Sequence, residues 1–157
     1  MIVDGGVYEF SFEQKLGEKM ELVNLEMLDM IKLKETLNKY FIKSIIDGDG
    51  DLIISGSINL YSNIDKEKDT LRFFGSIPTK HLKKEKEILN SFATRVNMAS
   101  NTIKYSNTDD SIFFEYGLFT LGSVDEKFIV TTVQNIMKEV NDTRGLFPLM
   151  DEVLGVD

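Results

Sequence analysis

The chain contains no cysteine, and this absence excludes disulfide bonds, thiolate catalysis and zinc sites built on thiolate ligands. A single histidine, His81, leaves no set of histidines for a metal site and weakens any serine-triad interpretation. Long uncharged apolar runs are also missing, so we expect no membrane span. The N-terminus shows no basic region followed by an apolar core, and without such a secretory signal we expect a cytoplasmic protein.

The composition is that of an ordinary folded domain. The chain has 157 residues, of which 42% are hydrophobic and 28% are charged, and this is too apolar for disorder. The protein is acidic, with a formal net charge of -8 and a pI of about 4.7. Because bulk acidity repels phosphate, we expect neither nucleic acid nor an anionic membrane as a partner.

The length suits one domain with a single core, which we assign to residues 21–157. Residues 1–20 form an N-terminal extension in this interpretation. Val7, Phe10 and Phe12 give the extension a strand-like alternation. We expect it to be partly ordered, to add an extra edge strand, or to dock as an arm on a second subunit.

One stretch, SIFFEYGLFTLG at residues 111–122, is apolar on both sides of a β-strand. One side carries Ile112, Phe114, Tyr116 and Leu118. The other side carries Phe113, Phe119 and Leu121. A strand that is apolar on both sides is usually central in a sheet, or has one side against a partner. The rest of the fold is therefore expected to be organised around this strand.

Other strands precede it along the chain. Apolar and polar residues alternate over residues 52–60, and Gly56 marks a bulge or bend that divides this run. The returning strand covers residues 71–77 and ends at Pro78, because proline cannot donate to a strand ladder. A short strand at residues 103–105 then forms a hairpin with the central strand.

Helical periodicity covers the remaining segments. The first, residues 21–40, is one helix with a broad buried face or two helices in succession, and the second covers residues 82–98. The third begins at Ser123, an N-cap whose capping box Glu126 completes. A short final helix carries Pro148 in its first turn. The sequence thus predicts an α+β fold, an antiparallel β-sheet of about five strands with helices packed on it, in the order α-β-β(-β)-α-β-β-α.

The run Asp47-Gly-Asp-Gly-Asp51 has the alternate acidic spacing of a calcium loop. The comparison fails at two positions, because the sixth should be glycine and is Leu52, and the twelfth should be glutamate and is Ile58. A turn that leads the chain into a strand explains the run more simply. We therefore predict no metal site here.

Nothing in the sequence points to catalysis. There is no glycine-rich phosphate loop, no nucleophile elbow and no cluster of metal ligands. The adjacent acids Asp109–Asp110 and Asp125–Glu126 are better explained by turn chemistry and by the helix dipole than by acid–base work. We predict that the protein is not an enzyme, has no catalytic residues and uses no cofactor.

Several short runs resemble one family. They are Asp47-Gly-Asp-Gly-Asp-Leu-Ile53, Phe92-Ala-Thr-Arg-Val-Asn-Met98, Lys104-Tyr105, Ser111-Ile-Phe-Phe-Glu-Tyr116 and Gly122. With the order of elements, they resemble the YbjN family, which shares the type III secretion chaperone-like fold, over about residues 27–154. The resemblance implies an antiparallel sheet with helices packed on it, often in a dimer. It also implies a non-enzymatic role in binding other proteins, as sensory-transduction or stress regulators or as secretion-type chaperones, with no functional residues to transfer.

Surplus apolar side chains lie on the face of the predicted sheet that points away from the main core. They are Ile53, Tyr61, Phe74, Phe113 and Phe119. Aromatic residues on a face that should be solvated indicate a covered surface. A partner helix, a second subunit or the middle helix of the same chain could supply the cover. The sequence therefore predicts a protein-binding or regulatory module whose partner is another protein or a second copy of itself.

An alternative is a small-ligand sensor with an apolar pocket between the sheet and the helices. Five methionines would then line an adaptable cavity. They are Met27, Met30, Met98, Met137 and Met150.

Overall fold

The computed structural model of the chain describes residues 21–156. The expectations for residues 1–20 lie outside this range. The strands are β1 (Leu22–Asn24), β2 (Ser44–Ile46), β3 (Leu52–Ile54), β4 (Leu60–Asp65), β5 (Thr70–Pro78), β6 (Lys104–Asn107), β7 (Ser111–Phe119) and β8 (Ser123–Asp125). The α-helices are α1 (Met30–Lys39), α2 (Lys86–Ala99), α3 (Glu126–Gly145) and α4 (Met150–Leu154).

Six strands form one antiparallel sheet in the order β2-β3-β4-β5-β7-β6, and β1 pairs with β8 in a separate two-stranded sheet. Helices pack on the six-stranded sheet, so the predicted α+β class is confirmed. The expectation of about five strands counted neither the short edge strand β2 nor the pair β1–β8. Strands this short carry too little alternation to be recognised from sequence.

The central position of β7 follows from its two apolar faces. It pairs with β5 over nine residues and with β6 on its other side. Ile112 and Phe114, on the inner face, are at most 1% exposed. Gly75 of β5 lies opposite Phe114, and a Cβ built on that glycine would lie 2.6 Å from the Phe114 ring. The absence of a side chain at Gly75 is therefore what makes room for the phenylalanine ring.

Each of the three longer helices contributes buried side chains to the core on the inner face. These are Leu33 and Leu37 from α1, Leu89, Phe92, Ala93 and Val96 from α2, and Ile129, Val130, Val133, Ile136 and Val140 from α3. The rings of Phe92 and Phe147 meet edge to face at 5.6 Å, which joins α2 to the segment before α4. The buried faces of α2 and α3 follow the predicted periodicity apart from Phe128, which is 44% exposed. The first predicted stripe is buried only in part, because Ile31 is 60% exposed and Phe41 is 94% exposed.

All four helix starts differ from the sequence prediction. The second helix begins at Lys86 rather than at Leu82, because Lys80–Leu82 form a separate 3₁₀ turn that ends at Lys83, whose φ is 52°. Pro148 lies in the 3₁₀ turn Phe147–Leu149 that precedes α4.

Residues 21–29 form β1 and a single 3₁₀ turn, and α1 begins only after Asp29, whose carboxylate accepts the Lys32 amide at 2.8 Å. The third long helix is capped by Asp125, which accepts the Lys127 amide at 2.7 Å, while Ser123 lies in β8. Pairing between β1 and β8 is a contact between distant parts of the chain, so the local pattern does not reveal it.

None of the helices in the described part of the chain combines the length and the apolar character that a membrane crossing needs.

Candidate functional site

An apolar row crosses the outer face of the six-stranded sheet, the face that points away from the core. Strand register sets Ile45 opposite Ile53, Ile53 opposite Tyr61, and Tyr61 opposite Phe74. Directly opposed side chains on one face lie about 4.5–5.5 Å apart at Cβ, so neighbours in the row are in contact range. Ile53, Tyr61 and Phe74 are each half-buried. We call these four residues, with Phe113, the outer row.

The aromatic members of the outer row contact one another. The rings of Tyr61 and Phe74 stack with centroids 5.8 Å apart and an interplanar angle of 23°. Phe113 of β7 is tilted against Phe74, with centroids 6.3 Å apart. Aromatic pairs in such geometry are worth about 0.5–1.5 kcal/mol beyond the area they bury. The three rings form a continuous apolar platform.

A charged pair borders the platform. The Arg72 guanidinium donates to both carboxylate oxygens of Glu115, at 2.9 and 3.3 Å, and its Cζ lies 4.9 Å from the centroid of the Phe74 ring. The hydrogen bond to Glu115 raises the pKa of Arg72 above its ordinary value. Arg72 therefore remains charged, and its stacking on Phe74 holds the ring in place.

A groove of about 760 Å³ lies over the platform at one end. Tyr61, Phe74 and Phe113 contribute apolar walls, and the rim includes three aspartates of the turn between β2 and β3, Asp47, Asp49 and Asp51. One side of the rim is therefore acidic, next to an apolar surface. Such a surface suits a segment that presents apolar side chains beside a basic one.

The aspartate turn has the conformation expected of a turn rather than of a calcium loop. One carboxylate oxygen of Asp47 accepts the amides of Asp49 and Asp51, at 2.9 and 3.0 Å, and Gly50 adopts a φ of 86°. Leu52, at the sixth position of the would-be loop, is a fully buried strand residue. Within residues 21–156, no three histidine, aspartate or glutamate side chains come close enough to share a metal ion.

Arg144, near the end of α3, holds the opposite rim of the groove. It donates to the Ser57 carbonyl at 3.3 Å and to the Asn141 side-chain oxygen at 3.2 Å. The Ser57 hydroxyl also donates to Asn141, at 2.6 Å. These bonds tie the loop after β3 to α3. This loop contains Gly56 and separates β3 from β4, as the sequence predicted.

Four of the five predicted interaction residues come together, and the fifth lies apart. Ile53, Tyr61, Phe74 and Phe113 belong to the outer row, while Phe119 lies opposite Thr70 at the far end of β7. Phe119 follows Phe113 by six residues on the same face of β7. At about 3.4 Å per residue, the two side chains are roughly 20 Å apart along the strand. Phe119 is 69% exposed and makes a separate apolar point on the same face.

The middle helix of the chain, α2, does not cover the outer row. Its buried residues pack in the core, and Asn97 near its end bonds the backbone of Tyr105 at the β6 edge of the sheet. The three ring members of the outer row and Ile53 all remain partly exposed. Among the residues that the structure describes, α2 is therefore not the cover, and a partner helix or a second subunit stays a prediction.

The sequence did not single out Ile45, Arg72 or Glu115. Arg72 lies two residues before Phe74, and Glu115 lies two residues after Phe113. Strand periodicity therefore placed both charged residues on this face. Only the register between β5 and β7 shows that the two charges meet. Ile45 lies in a strand of three residues, which is too short to show a pattern.

The methionines proposed for a ligand pocket do not converge. Met27 and Met98 are 66% and 77% exposed, while Met150 is 1% exposed and packs in the core. A cavity of about 120 Å³ between the sheet and α3 is lined by other residues, among them Ile103, Tyr116 and Glu139. This volume is below the range of about 300–1,000 Å³ that ligand pockets usually occupy.

One of the two pairs of adjacent acids, Asp125–Glu126, has a structural role. Asp125 caps α3, and the mostly buried Glu126 accepts the Lys39 ammonium at 2.8 Å. The hydrogen bonds that Lys39 donates to the carboxylates of Glu126 and Glu21 raise the pKa of Lys39, which therefore remains charged. Asp109 and Asp110 are exposed in the turn before β7. Asp125 thus serves as a helix cap and Glu126 as an ion-pair partner.

Comparison with known proteins supports the fold assignment. No family model matches the chain, and no curated protein matches it in sequence. The structure is similar to that of YbjN, described as a putative transcription regulator from E. coli, with a TM-score of 0.59 and 12% identity over 86% of this chain and 93% of that one. It is also similar to a chain of the HopA1-SchA chaperone-effector complex, with a TM-score of 0.49 and 12% identity over 74% and 91%. The chain has a YbjN-like fold.

Proposed function

We propose that this protein is a non-catalytic binding module of the cytoplasm, a regulator or a secretion-type chaperone, that binds another protein through the outer row and also associates with a second copy of itself. The observation that carries the proposal is the platform of Tyr61, Phe74 and Phe113, which no described element covers. A stacked aromatic surface beside charged residues is typical of protein interfaces.

The rim of the groove defines the chemistry of the partner. Asp47, Asp49 and Asp51 lie beside the platform, so the partner presents apolar anchors with a lysine or arginine next to them. Phe119 extends the proposed interaction surface as a second contact at the far end of the face. YbjN, described as a putative transcription regulator, fits a regulatory role by analogy of fold alone.

A capture experiment tests the proposal. The full chain and its Phe74→Ser variant are immobilised, and proteins retained from the native cytoplasm are compared by mass spectrometry. We expect proteins that bind the wild type and are lost from Phe74→Ser, with binding that weakens as salt is raised. Met98→Ser, which changes an exposed side chain on α2, is the matched control and should bind as the wild type does.

A partner retained equally by wild type and Phe74→Ser would contradict the assignment of the outer row. Circular dichroism of both variants shows whether the fold is kept. Phe119→Ser, tested alongside, shows whether the contact extends to the far end of the face.

A further inference from the structure

The two edges of the six-stranded sheet differ in how their backbone is satisfied. At the β6 edge, the Asn97 side chain bonds both the amide and the carbonyl of Tyr105, each at 2.6 Å. A strand edge satisfied in this way offers few free groups to another strand. The β2 edge has no such cap in the described part of the chain.

The free groups of β2 belong to Ser44 and Ile46. On the inward side, the Lys43 carbonyl accepts the Ser55 amide at 3.1 Å, and the Asp47 amide donates to the Asp51 carbonyl at 2.9 Å. In an antiparallel ladder, residues that bond one neighbour alternate with residues that point the other way. The amides and carbonyls of Ser44 and Ile46 therefore point away from β3.

Three apolar side chains around this edge are exposed, while the Ser44 side chain points into the core and the residue is 7% exposed. Ile45 is 59% exposed, Ile46 is 37% exposed, and Phe41, just before the strand, is 94% exposed. Phe41 also has a φ of 61°, which a bulky residue rarely adopts. An open strand edge flanked by exposed apolar side chains is a place where another chain adds a strand.

From this edge we infer that two copies of the chain pair β2 with β2 across a two-fold axis, which joins the two sheets into one. The inference deepens the self-association part of the proposed function and rests on it. We place the two-fold axis at Ile45. The backbone groups of Ser44 in each copy then form hydrogen bonds with the backbone groups of Ile46 in the other copy. Ile45 then faces Ile45 of the second copy directly.

Two features on the outer face favour this register. One side of β2 and its flanks carries Lys43, Ile45 and Asp47, because residues two apart on a strand share a face. In the paired dimer, Lys43 of each copy therefore faces Asp47 of the other. Opposite charges directly across strands stabilise a pairing, and here they occur twice. Ile45 also ends the outer row, so the rows of the two copies form one continuous apolar band across the axis.

A single introduced thiol tests the axis directly, because the chain contains no cysteine. In the full chain carrying Ile45→Cys, the two Cβ atoms would lie about 4.5–5.5 Å apart, close to the separation that a disulfide needs. Mild oxidation should give a cross-linked dimer in high yield. Met98→Cys, an exposed position on α2, is the control and should cross-link several-fold less.

A charge exchange tests the register. In a dimer of either single variant, Lys43→Asp or Asp47→Lys, residues 43 and 47 of the two copies carry like charges at both places where they face each other. Each variant should therefore be monomeric at a micromolar concentration at which the wild type is dimeric. Mixed together, the two variants bring opposite charges face to face at both positions and should form a heterodimer, detected by sedimentation. Circular dichroism shows that each variant is folded.

A dimeric wild type joined through another surface would overturn this inference alone, whereas a monomeric wild type would overturn both the inference and the self-association part of the proposed function. A dimeric wild type whose Ile45→Cys variant cross-links no better than Met98→Cys would place the dimer contact elsewhere. A monomeric wild type with Ser44 and Ile46 amides protected from hydrogen exchange would assign the edge to residues 1–20 of the same chain. A monomeric wild type with these amides unprotected would leave the edge without an occupant. None of these results affects partner capture by the outer row.

Discussion

The Asn97 side chain pairs with the backbone of Tyr105 as a neighbouring strand would, donating to its carbonyl and accepting from its amide at 2.6 Å each. One amide group of a helix thereby closes the edge of the sheet. It also fixes α2 against β6, and so fixes the position of the helix relative to the core.

Replacing Asn97 with alanine should destabilise the fold by about 1–3 kcal/mol, because two backbone groups of Tyr105 lose their partner. Urea unfolding measures the loss. Asn101→Ala, which changes another exposed amide just beyond α2, should cost less than about 0.5 kcal/mol. Equal losses for the two variants would show that the pairing with Tyr105 contributes nothing.

Neighbouring phenylalanines of β7 should differ sharply in their contribution to stability. Phe114 is 1% exposed beneath the helices, and Phe114→Ala should cost about 3–5 kcal/mol, the usual cost of emptying a buried aromatic site. Phe113 is half-exposed on the outer row, and Phe113→Ala should cost clearly less while weakening partner capture. Unfolding curves and capture assays on both variants test the contrast. A loss below about 1 kcal/mol for Phe114→Ala would refute the core assignment.

Because the Phe114 ring occupies the space next to Gly75, adding one methyl group at Gly75 should destabilise the fold clearly. In Gly75→Ala, the new Cβ would lie 2.6 Å from the Phe114 ring and 2.9 Å from the Asn59 carbonyl oxygen. We expect a loss of about 1–3 kcal/mol, typical of overpacking a core. Gly48→Ala is the matched control, since no atom lies within 4 Å of its Cβ. Thermal melts of the two variants should separate clearly, and a stable Gly75→Ala protein would contradict the packing described here.

Tyr105 gives the fold a dependence on alkaline pH. Burial raises the pKa of its hydroxyl above the ordinary value, and that hydroxyl donates to Glu139 at 3.1 Å and accepts from Thr143 at 3.3 Å. A raised pKa in the folded state means that the stabilisation is complete below the unfolded pKa of about 10 and declines above it.

The wild type should therefore lose its stability advantage over Tyr105→Phe as the pH rises above about 10. At neutral pH, Tyr105→Phe should cost about 1 kcal/mol, because it removes two hydrogen bonds. Urea unfolding across this pH range measures both quantities, with Tyr61→Phe on the outer face as the control. A constant difference between wild type and Tyr105→Phe at every pH would exclude the titration.

The sequence predicted those features of the fold that depend on neighbouring residues, and it missed those that depend on contacts between distant residues. Strand alternation assigned Ile112 and Phe114 to one face and Phe113 to the other, and the structure shows that arrangement. Leu22, Leu25 and Leu28 recur every three residues, which suggested a helix. The structure instead forms a 3₁₀ turn, whose period is three, after a strand held by distant β8.

The candidate interface was predictable only in part. Alternation placed Tyr61, Phe74 and Phe119 on the same side of the sheet, but register decides which of them meet. The pairing of Tyr61 with Phe74 brings those two rings together, and the pairing of Phe119 with Thr70 separates the third. Register is fixed by turns and by contacts between distant strands, which one sequence does not display.

The pairing of β1 with β8 has a consequence for the order in which the chain folds. Leu22 and Asp125 lie about 100 residues apart in the sequence. The pairing of β1 with β8 therefore has the entropic cost of closing a very long loop, and it gains only a few hydrogen bonds. It should form after the hairpins of the main sheet and should open before them. Amide exchange of Val23 and Val124 should therefore be fast compared with that of Phe73 and Phe114.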